Sequence, residues 1–520
     1  MSVTTSAKRL TVFPAIPAET AHALLRWLPL ALICTLPVVF YAPFFTEPFF
    51  RDEGSYAAVA QWMLDGHVPY ENAFDNKPPM VYAYYAVSFL LFGENVVAPR
   101  LLVALLISGA TALMYVEGRM LYSHRGGLVA AFFFAMSFGV GSVQTSANTE
   151  FFMIPAATAS LVAFTAARRN QQPGWYAAAG LFSGVAMATK PISLFIFVLY
   201  ALVLVADRVH GTADQRRGLA RNLALLAGGL AITGAAVVVP FALTGALPDL
   251  YEATIVYALV YVGDIPLSDK IDAVREAARH FLFVTGPWNL FALLGAFYIV
   301  RRGADGWGPL IVGFFFANLI GIAVAGRFYA HYFIAMLPAM SLLAPLGARV
   351  ARDVLSSNVA KVIVAGFLPF LLVIPLLNSV AVYGHTSVED RHEAKYYGDA
   401  RAPWENRGPE FGEWLKARTE PGDGLWNFGF QSEIYFYSDL RSPTRFFMDR
   451  PFWNSDEYMN QALTELEADK PLYVLDSATY ENWTGIKIYR IEVRQWIEAN
   501  YDYLGRFYYA DVFRLKGASS

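Results

Sequence analysis

Two acidic residues and one lysine stand out because they occur together in one polar segment between apolar runs. Asp52 and Glu53 come directly after an aromatic run, and Lys77 precedes two prolines that fix an extended backbone. Charges favourable to a helix dipole and a snorkelling lysine are the structural alternatives. Grouped together, such residues have a chemistry: a carboxylate accepts a proton from an attacking hydroxyl while a cation neutralises a phosphate.

Further isolated charges lie where other apolar runs end. Glu150 begins one run, and Lys190 stands between two runs with no acidic neighbour in sequence, so it calls for an anion. Arg327, His331 and Tyr332 share one short connection, where a satisfied histidine, a tyrosine of the aromatic belt and an exposed arginine are the ordinary interpretations. Three cations with one acidic pair predict a site that binds phosphate and abstracts a proton.

The composition indicates a membrane protein. The 520 residues are 56% hydrophobic and only 16% charged, which is too apolar for an ordinary soluble protein. The net charge of -3 gives no basic field, so nucleic acid is excluded as a partner. The single cysteine, Cys34, excludes a disulfide framework and a thiolate metal cluster.

Apolar runs of about 16 to 23 residues recur along the first three quarters of the chain, and each is long enough or nearly long enough to cross a hydrocarbon layer. The sequence predicts eleven spans, at residues 24–44, 98–118, 127–144, 149–167, 174–189, 191–206, 222–244, 281–300, 309–325, 329–347 and 361–382. A further apolar segment, Pro78 to Phe92, is shorter, and we assign it to the membrane interface.

The connections between spans carry the information on orientation. If Pro78 to Phe92 does not cross, clusters such as Arg168-Arg169 and Arg301-Arg302 share the side of the amino terminus, which the positive-inside rule places in the cytoplasm. We therefore predict a multi-pass protein of the bacterial inner membrane, with long outer loops at 46–97 and 245–280. Long outer loops are candidates for function.

The last part of the chain reads as one soluble α/β domain outside the cytoplasm, at 384–520, after a transmembrane catalytic domain at 1–383. Gly424 to Phe428 and Pro471 to Leu475 resemble short buried strands, and Tyr508 to Leu515 resembles an edge strand of a hairpin. The aromatic cluster of Trp426, Tyr435 and Tyr437 is interpreted as core rather than as a surface that stacks on sugars.

Several motifs occur together in a characteristic order. They are Arg51-Asp52-Glu53 with Tyr56, Asn76-Lys77-Pro78-Pro79, Phe92-Gly93 with Arg100, Thr149-Glu150, Thr189-Lys190-Pro191, and the segment from His331-Tyr332 to Leu337-Pro338. This pattern resembles the polyprenyl-phosphate-dependent glycosyltransferases of the GT-C fold, especially the bacterial branch of lipid A aminoarabinose transferase and protein O-mannosyltransferase relatives. The resemblance implies a polytopic α-helical membrane protein of about eleven transmembrane helices plus interfacial helices, followed by a soluble α/β domain.

The resemblance also implies roles for single residues. Asp52 becomes the catalytic base and Glu53 its orienting partner, while Lys77 contacts the carrier phosphate. The other candidates for the donor site are Lys190, Arg327, Arg51, Tyr56, His331 and Tyr332, with Glu150 and Asp75 as further candidates. One departure is Ser55, where the aminoarabinose transferase carries an arginine, so the phosphate clamp is expected to differ here, with Arg51, Lys190 or Arg327 helping. A divalent cation, Mg²⁺ or Mn²⁺, at Asp52 and Glu53 stays open.

The implied reaction is inverting transfer of one sugar from a polyprenyl-phosphate carrier to a lipid, polysaccharide or protein acceptor on the outer face of the membrane. Nucleotide sugars are cytoplasmic, so an outward-facing site needs a lipid-linked donor. The alternative is a secondary transporter or lipid flippase, which predicts inverted repeats and ionisable residues deep in the bilayer. Nearly all the charges of this chain lie instead at the ends of apolar runs, which favours the enzyme.

Overall fold

A computed structural model gives the architecture of most of the chain. It describes residues 18–139, 146–210, 218–263, 268, 270–272, 274–275, 286–302, 307–354, 380, 383–385, 387–395, 407–453, 455–477, 490–508 and 510–518. The predicted span at 361–382 lies outside these residues, apart from residue 380, as do the last residues of the span at 127–144 and the first of the span at 281–300.

Helices dominate, and the apolar ones come first. In chain order they are α1 (Ala18–Tyr41), α2 (Arg51–Leu64), α3 (Met80–Phe92), α4 (Val97–Leu121), α5 (His124–Met136), α6 (Thr149–Asn170), α7 (Gly174–Thr189), α8 (Leu194–His210), α9 (Leu219–Thr244), α10 (Leu247–Tyr251), α11 (Tyr257–Gly263), α12 (Gly286–Arg302), α13 (Gly308–Ala325) and α14 (Leu337–Val354). A 3-10 segment, Ala330–Met336, leads into α14. The later helices are α15 (Val388–Lys395), α16 (Gly408–Lys416), α17 (Glu433–Ser438), α18 (Asp456–Ala468) and α19 (Ile491–Asn500).

Seven of the eleven predicted spans are helices long and apolar enough to cross a membrane. They are Leu25–Phe44, Val97–Leu121, Thr149–Asn170, Pro191–Val209, Leu219–Thr244, Gly308–Ala325 and His331–Ala351. Three more predicted spans coincide with the shorter helices α5, α7 and α12, of 13, 16 and 17 residues. The chain is a multi-pass membrane protein. The segment assigned to the interface forms the 13-residue helix α3, which at 1.5 Å per residue is about 20 Å long and too short to cross alone.

Glycines bring α7 and α9 into close contact. A Cβ placed on Gly229 would overlap the carbonyl oxygen of Ala177, and a Cβ on Gly180 would overlap that of Leu226. Small residues of this kind let two backbones approach where the surrounding lipid offers no hydrophobic driving force. The packing of these two helices therefore depends on Gly180 and Gly229.

Gly229→Ala is expected to lower the thermal stability of the detergent-solubilised protein, because the added methyl group meets backbone atoms that cannot move aside, at a cost of about 1 to 3 kcal/mol. Gly228→Ala on the same helix is the matched control, since a Cβ there meets open space. Both changes raise the helix propensity equally. Equal melting temperatures of the two variants would contradict the packing argument.

The carboxyl-terminal region carries a four-stranded sheet of β1 (Leu425–Phe428), β2 (Tyr473–Asp476), β3 (Tyr501–Phe507) and β4 (Ala510–Leu515), in the order β1-β2-β4-β3. β1 and β2 are parallel, and the other pairs are antiparallel. The first two strands match the sequence prediction. The prediction of an edge strand near Leu515 was wrong: β4 lies between β2 and β3, because its buried residues Val512 and Phe513 pair with neighbours on both sides.

Helix α2, which lies in the segment 46–97 predicted to be an outer loop, is held against the carboxyl-terminal region. The backbone of Gly54 lies so close to Glu433 that a Cβ would overlap it, and the hydroxyls of Ser55 and Ser432 form a hydrogen bond. The ring of Trp62 packs edge-on against Tyr435, with ring centroids 5.4 Å apart. The soluble region thus covers the face of the loop that carries the acidic pair. The domain boundaries at 1–383 and 384–520 stay a prediction.

Candidate active site

The start of α2 separates the two members of the acidic pair. Glu53 is 1% exposed and accepts a hydrogen bond from the amide of Phe50, the residue before α2, at 3.3 Å. Its two carboxylate oxygens also accept the Arg100 Nη2–H and Nε–H at 2.7 and 3.2 Å, and the amide of Ala147 donates to one of them at 2.7 Å. Glu53 is therefore tied into the packing between α2, α4 and the start of α6.

Arg100 completes this buried ion pair. It is fully buried on α4, and its remaining N–H groups donate to the carbonyls of Phe44 and Pro48, at 3.3 and 3.0 Å, and of Glu47. Arg100, one of the motif residues, thus fixes the segment before α2. Glu53 therefore faces Arg100, whereas Asp52 faces Arg450.

Asp52 lies among cations. Its side chain is 23% exposed, and one carboxylate oxygen is 3.8 Å from Nη2 of Arg450 in the carboxyl-terminal region. Burial raises the pKa of the nearby Tyr56 well above its ordinary value, and the negative charges of Asp52 and Asp75 raise it further. Asp52 is thus within electrostatic range of groups from several elements.

Glu150, Lys190, His331 and Tyr332, all candidates from the sequence, lie next to one another. Glu150 opens α6 and pairs with Lys190, which follows α7 in an extended conformation. The Glu150 carboxylate is also 3.6 Å from Nε2 of His331, and the Lys190 ammonium lies 3.4 Å from the centroid of the Tyr332 ring. A buried ammonium of this kind is stabilised by the carboxylate and by the aromatic face.

The charges of Lys77 and Asp52 both change the pKa of Lys190. In this turn between two apolar helices, burial lowers the pKa of Lys190 well below its ordinary value, the charge of Lys77 lowers it further, and the charge of Asp52 raises it. Within the part of the chain that the structure describes, the Lys77 ammonium forms no ion pair or hydrogen bond, although Lys77 is half-buried. Lys77 is therefore, among the described side chains, a cation of this group that no contacting carboxylate neutralises.

Asp75 lies on the other side of Lys77 and is buried. Its carboxylate accepts the Tyr82 hydroxyl at 2.9 Å and the amide of Asn76 at 2.7 Å. The hydroxyl of Tyr70 donates to the carbonyl of Lys77 at 2.6 Å. These contacts fix the turn that presents Lys77, which is a positioning role for Asp75.

Arg327 leads into an aromatic group formed by Tyr261, Tyr329 and Tyr332. Its guanidinium lies 3.9 Å from the centroid of the Tyr261 ring and donates from Nη2 to the Tyr261 carbonyl at 2.8 Å. Tyr329 stacks on His331 at a centroid distance of 5.6 Å and meets Tyr332 edge-on at 5.5 Å. Burial raises the pKa of Tyr329 to about 12. His331 is thus joined to Lys190 through the ring of Tyr332.

Tyr56 and Arg51 are the other two candidates from the segment 46–97. Tyr56 is fully buried, and its hydroxyl donates to Asn148, which caps α6. Arg51 begins α2, and its side chain lies outside what the structure describes. Tyr56 therefore links α2 to the helix of Glu150.

Sequence reasoning missed Arg450 and Tyr261. Arg450 comes from the carboxyl-terminal region and lies 4.2 Å from the centroid of the Phe430 ring and 5.7 Å from that of Tyr261. Burial lowers the pKa of Arg450, but Tyr261, Asp52 and Asp75 raise it above the ordinary value. The available signal was a charged pair, Asp449-Arg450, inside an aromatic stretch of a soluble domain.

Cations gather in this group. Lys190 and Glu150 contribute no net charge whichever of them holds the proton. Among the described side chains, Lys77, Arg327 and Arg450 are further cations of the group, and Asp52 and Asp75 are further carboxylates. Such a site suits an anion. Among the described residues, no group of three or more His, Cys, Asp or Glu side chains is arranged to hold a metal ion.

A cavity of about 790 Å³ lies away from this group. It opens between the far end of α2 and the carboxyl-terminal region, and its lining includes Trp62, His67 and Arg441. From Asp52 to Trp62 the helix rises by about 15 Å. None of the predicted site residues lines this cavity.

Comparisons with known proteins give the fold. The family model described as dolichyl-phosphate-mannose-protein mannosyltransferase matches residues 76–242, which include Lys77, Glu150 and Lys190. No curated protein matches the chain. The crystal structure of ArnT from Cupriavidus metallidurans bound to undecaprenyl phosphate superposes with a TM-score of 0.58 at 16% identity, over 95% of this chain and 98% of ArnT. The chain has the GT-C fold.

Other structures with the GT-C fold superpose as well. The apo state of the same ArnT gives a TM-score of 0.58 at 15% identity, over 96% of this chain and 98% of ArnT. The archaeal oligosaccharyltransferase AglB from Archaeoglobus fulgidus, in complex with an inhibitory peptide and a dolichol-phosphate, gives 0.51 at 12% identity, over 96% of this chain and 75% of AglB. The fold that the motifs predicted is confirmed.

Proposed function

We propose that the protein is an inverting glycosyltransferase that moves a single hexosyl or pentosyl unit from a polyprenyl-phosphate carrier to an acceptor. The observation that carries the proposal is the meeting of Asp52, Lys77 and Lys190 in one electrostatic group where α2, α6 and α7 come together. The GT-C fold supports it, since the crystal structure of ArnT contains undecaprenyl phosphate. The acceptor is a lipid, a polysaccharide or a protein.

In the proposed reaction, Asp52 is the general base. It takes the proton of the acceptor hydroxyl as the oxygen forms a bond to the anomeric carbon. The bond from that carbon to the phosphate oxygen breaks, its electron pair stays on the phosphate, and the carrier leaves as a monophosphate. Attack opposite the leaving group inverts the configuration. Lys77 stabilises the growing phosphate charge, and Lys190 adds to the field although Glu150 already pairs with it.

The remaining residues support these roles in our proposal. Glu53 acts through its ion pair with Arg100 by fixing the start of α2, and therefore the backbone of Asp52. Tyr329, His331 and Tyr332 form an apolar and weakly polar wall beside Lys190. A divalent cation is not needed for this reaction scheme. The basic side chains of the group, Lys77, Lys190, Arg327 and Arg450, perform the charge neutralisation that a metal supplies elsewhere.

We place the reaction on the outer face of the bacterial inner membrane, with the amino terminus in the cytoplasm. The position of Arg168-Arg169 at the end of α6 opposite to Glu150 supports this orientation. The transporter or flippase alternative is not favoured, because the fold is that of the glycosyltransferases.

Lys77→Met tests the phosphate role. It removes the cation and keeps the length of the side chain, so we expect the affinity for undecaprenyl phosphate to fall by about 10- to 100-fold, the effect of losing one charge-assisted hydrogen bond. The measurement is a titration of the purified protein with undecaprenyl phosphate. The control is Lys416→Met, which removes an exposed lysine paired with Asp439. Equal affinities of the two variants would exclude Lys77 from the phosphate site.

The sugar and acceptor can be identified in cells. Mass spectrometry of glycolipids and glycans from a deletion strain should show one glycan species without its sugar unit. Expression of the intact protein should restore that unit, and the Lys77→Met variant should not. Identical glycan profiles with and without the gene would contradict the proposed function.

A further inference from the structure

Arg450 is a buried guanidinium with unmet hydrogen-bonding capacity. Its side chain is 13% exposed, and its Nε–H is buried without a partner. Among the described residues it donates no hydrogen bond; its charged contact is the 3.8 Å approach to Asp52, which is longer than a hydrogen bond. A guanidinium has five N–H donors, and leaving them unpaired in a buried site costs free energy. These donors need an acceptor beyond Asp52.

Arg327 is a second guanidinium of this site with an unpartnered N–H donor. It donates one hydrogen bond, to the carbonyl of Tyr261, and its buried Nε–H also lacks a partner. Both arginines contact the ring of Tyr261, at 3.9 Å for Arg327 and 5.7 Å for Arg450. Two guanidinium groups of like charge held at one ring repel each other unless an anion lies within reach of both.

The position of Arg450 is built by contacts between the two parts of the chain. The hydroxyl of Tyr257 donates to the carbonyl of Arg450 at 3.0 Å. Five residues earlier, Arg445 forms ion pairs with Asp249 and Glu252, each at 3.0 Å. The second outer loop thus holds the carboxyl-terminal region so that Arg450 reaches the site of Asp52.

We propose that Arg450, with Arg327, binds the phosphate of the carrier lipid beside Asp52, so that the carboxyl-terminal region completes the active site. This inference rests on the proposed function. It fits the site, because the unpartnered N–H donors of the two arginines match the acceptor oxygens of a sugar phosphodiester. It also fits the reaction, because two forked guanidinium groups can receive the second negative charge that develops as the phosphate leaves.

In this proposal, Arg450 also controls how strong a base Asp52 is. Before substrate binds, its guanidinium lies 3.8 Å from the Asp52 carboxylate and attracts it. A phosphate that takes the N–H donors of Arg450 weakens that attraction, and the carboxylate becomes a better base for the acceptor hydroxyl. Arg450 thus couples the arrival of the donor to the activation of the acceptor.

The test is a titration of the full-length protein with undecaprenyl phosphate in detergent micelles. Arg450→Gln should weaken binding by about 10- to 100-fold, because a charge-assisted pair is lost. Arg450→Lys should lie between this variant and the wild type, since it keeps the charge and loses the fork. Arg407→Gln is the matched control, because it removes an exposed arginine of the same region that pairs with the exposed Glu410. It should bind within about twofold of the wild type, as surface ion pairs contribute little.

The outcomes separate this inference from the proposed function. If Arg450→Gln binds as tightly as the wild type while Lys77→Met does not, the inference is overturned and the proposed function stands. If the wild type does not bind undecaprenyl phosphate at all, the proposed function itself fails. Arg327→Gln, in the membrane part, gives a second reading should Arg450→Gln not fold: a loss of affinity supports the arginine site, and an unchanged affinity overturns it.

Discussion

Replacing Asp52 with asparagine is expected to lower the rate of sugar transfer by about 10²- to 10⁴-fold, the contribution of a positioned general base. Asparagine keeps the size of the side chain but cannot take the proton of the acceptor hydroxyl. The variant should fold, and it should still bind undecaprenyl phosphate because Lys77 and the arginines remain. The measurement is the initial rate of transfer to the acceptor at saturating donor.

The pH dependence of transfer adds a second test of Asp52. A carboxylate base must be ionised, so the wild-type rate should fall as the pH is lowered through its titration, and Asp52→Asn should lack that fall. Asp502→Asn, an exposed change on β3, is the control and should keep both the rate and the pH profile. Transfer by Asp52→Asn at the wild-type rate would remove Asp52 as the base.

Glu53→Ala is expected to have the largest effect on stability. It leaves the fully buried Arg100 guanidinium without its counter-charge, and breaking a buried ion pair in this way costs about 3 to 5 kcal/mol. The loss should appear as a lower melting temperature in detergent. Glu53→Gln should cost less, because an amide oxygen still accepts one N–H of Arg100.

A double change separates structure from chemistry at Glu53. Replacing Glu53 and Arg100 together with methionine removes both charges and should recover much of the stability lost in Glu53→Ala. If Glu53 instead assists Asp52 directly, Glu53→Gln should reduce the turnover rate while the melting temperature stays at the wild-type value. That result would return Glu53 to the reacting centre.

The local chemistry of the site was readable from the sequence. Lys77 before two prolines, Glu150 at the start of an apolar run and Lys190 between two runs are charges whose placement next to hydrocarbon has a free-energy cost, and the structure brings Lys190 to Glu150 and within electrostatic range of Lys77. Helix periods and run lengths also located seven of the spans, because hydrophobic length is fixed by the thickness of the bilayer.

The tertiary structure alone decided which charges face one another. Asp52 and Glu53 are adjacent in sequence, yet one approaches Arg450 and the other is buried on Arg100, because consecutive residues of a helix project about 100° apart. Arg450 lies almost four hundred positions from Asp52 in the chain, and no local pattern encodes a contact made by docking one region on another. Composition and periodicity determine what a segment can bury, whereas the partner of a buried charge depends on the packing of the whole chain.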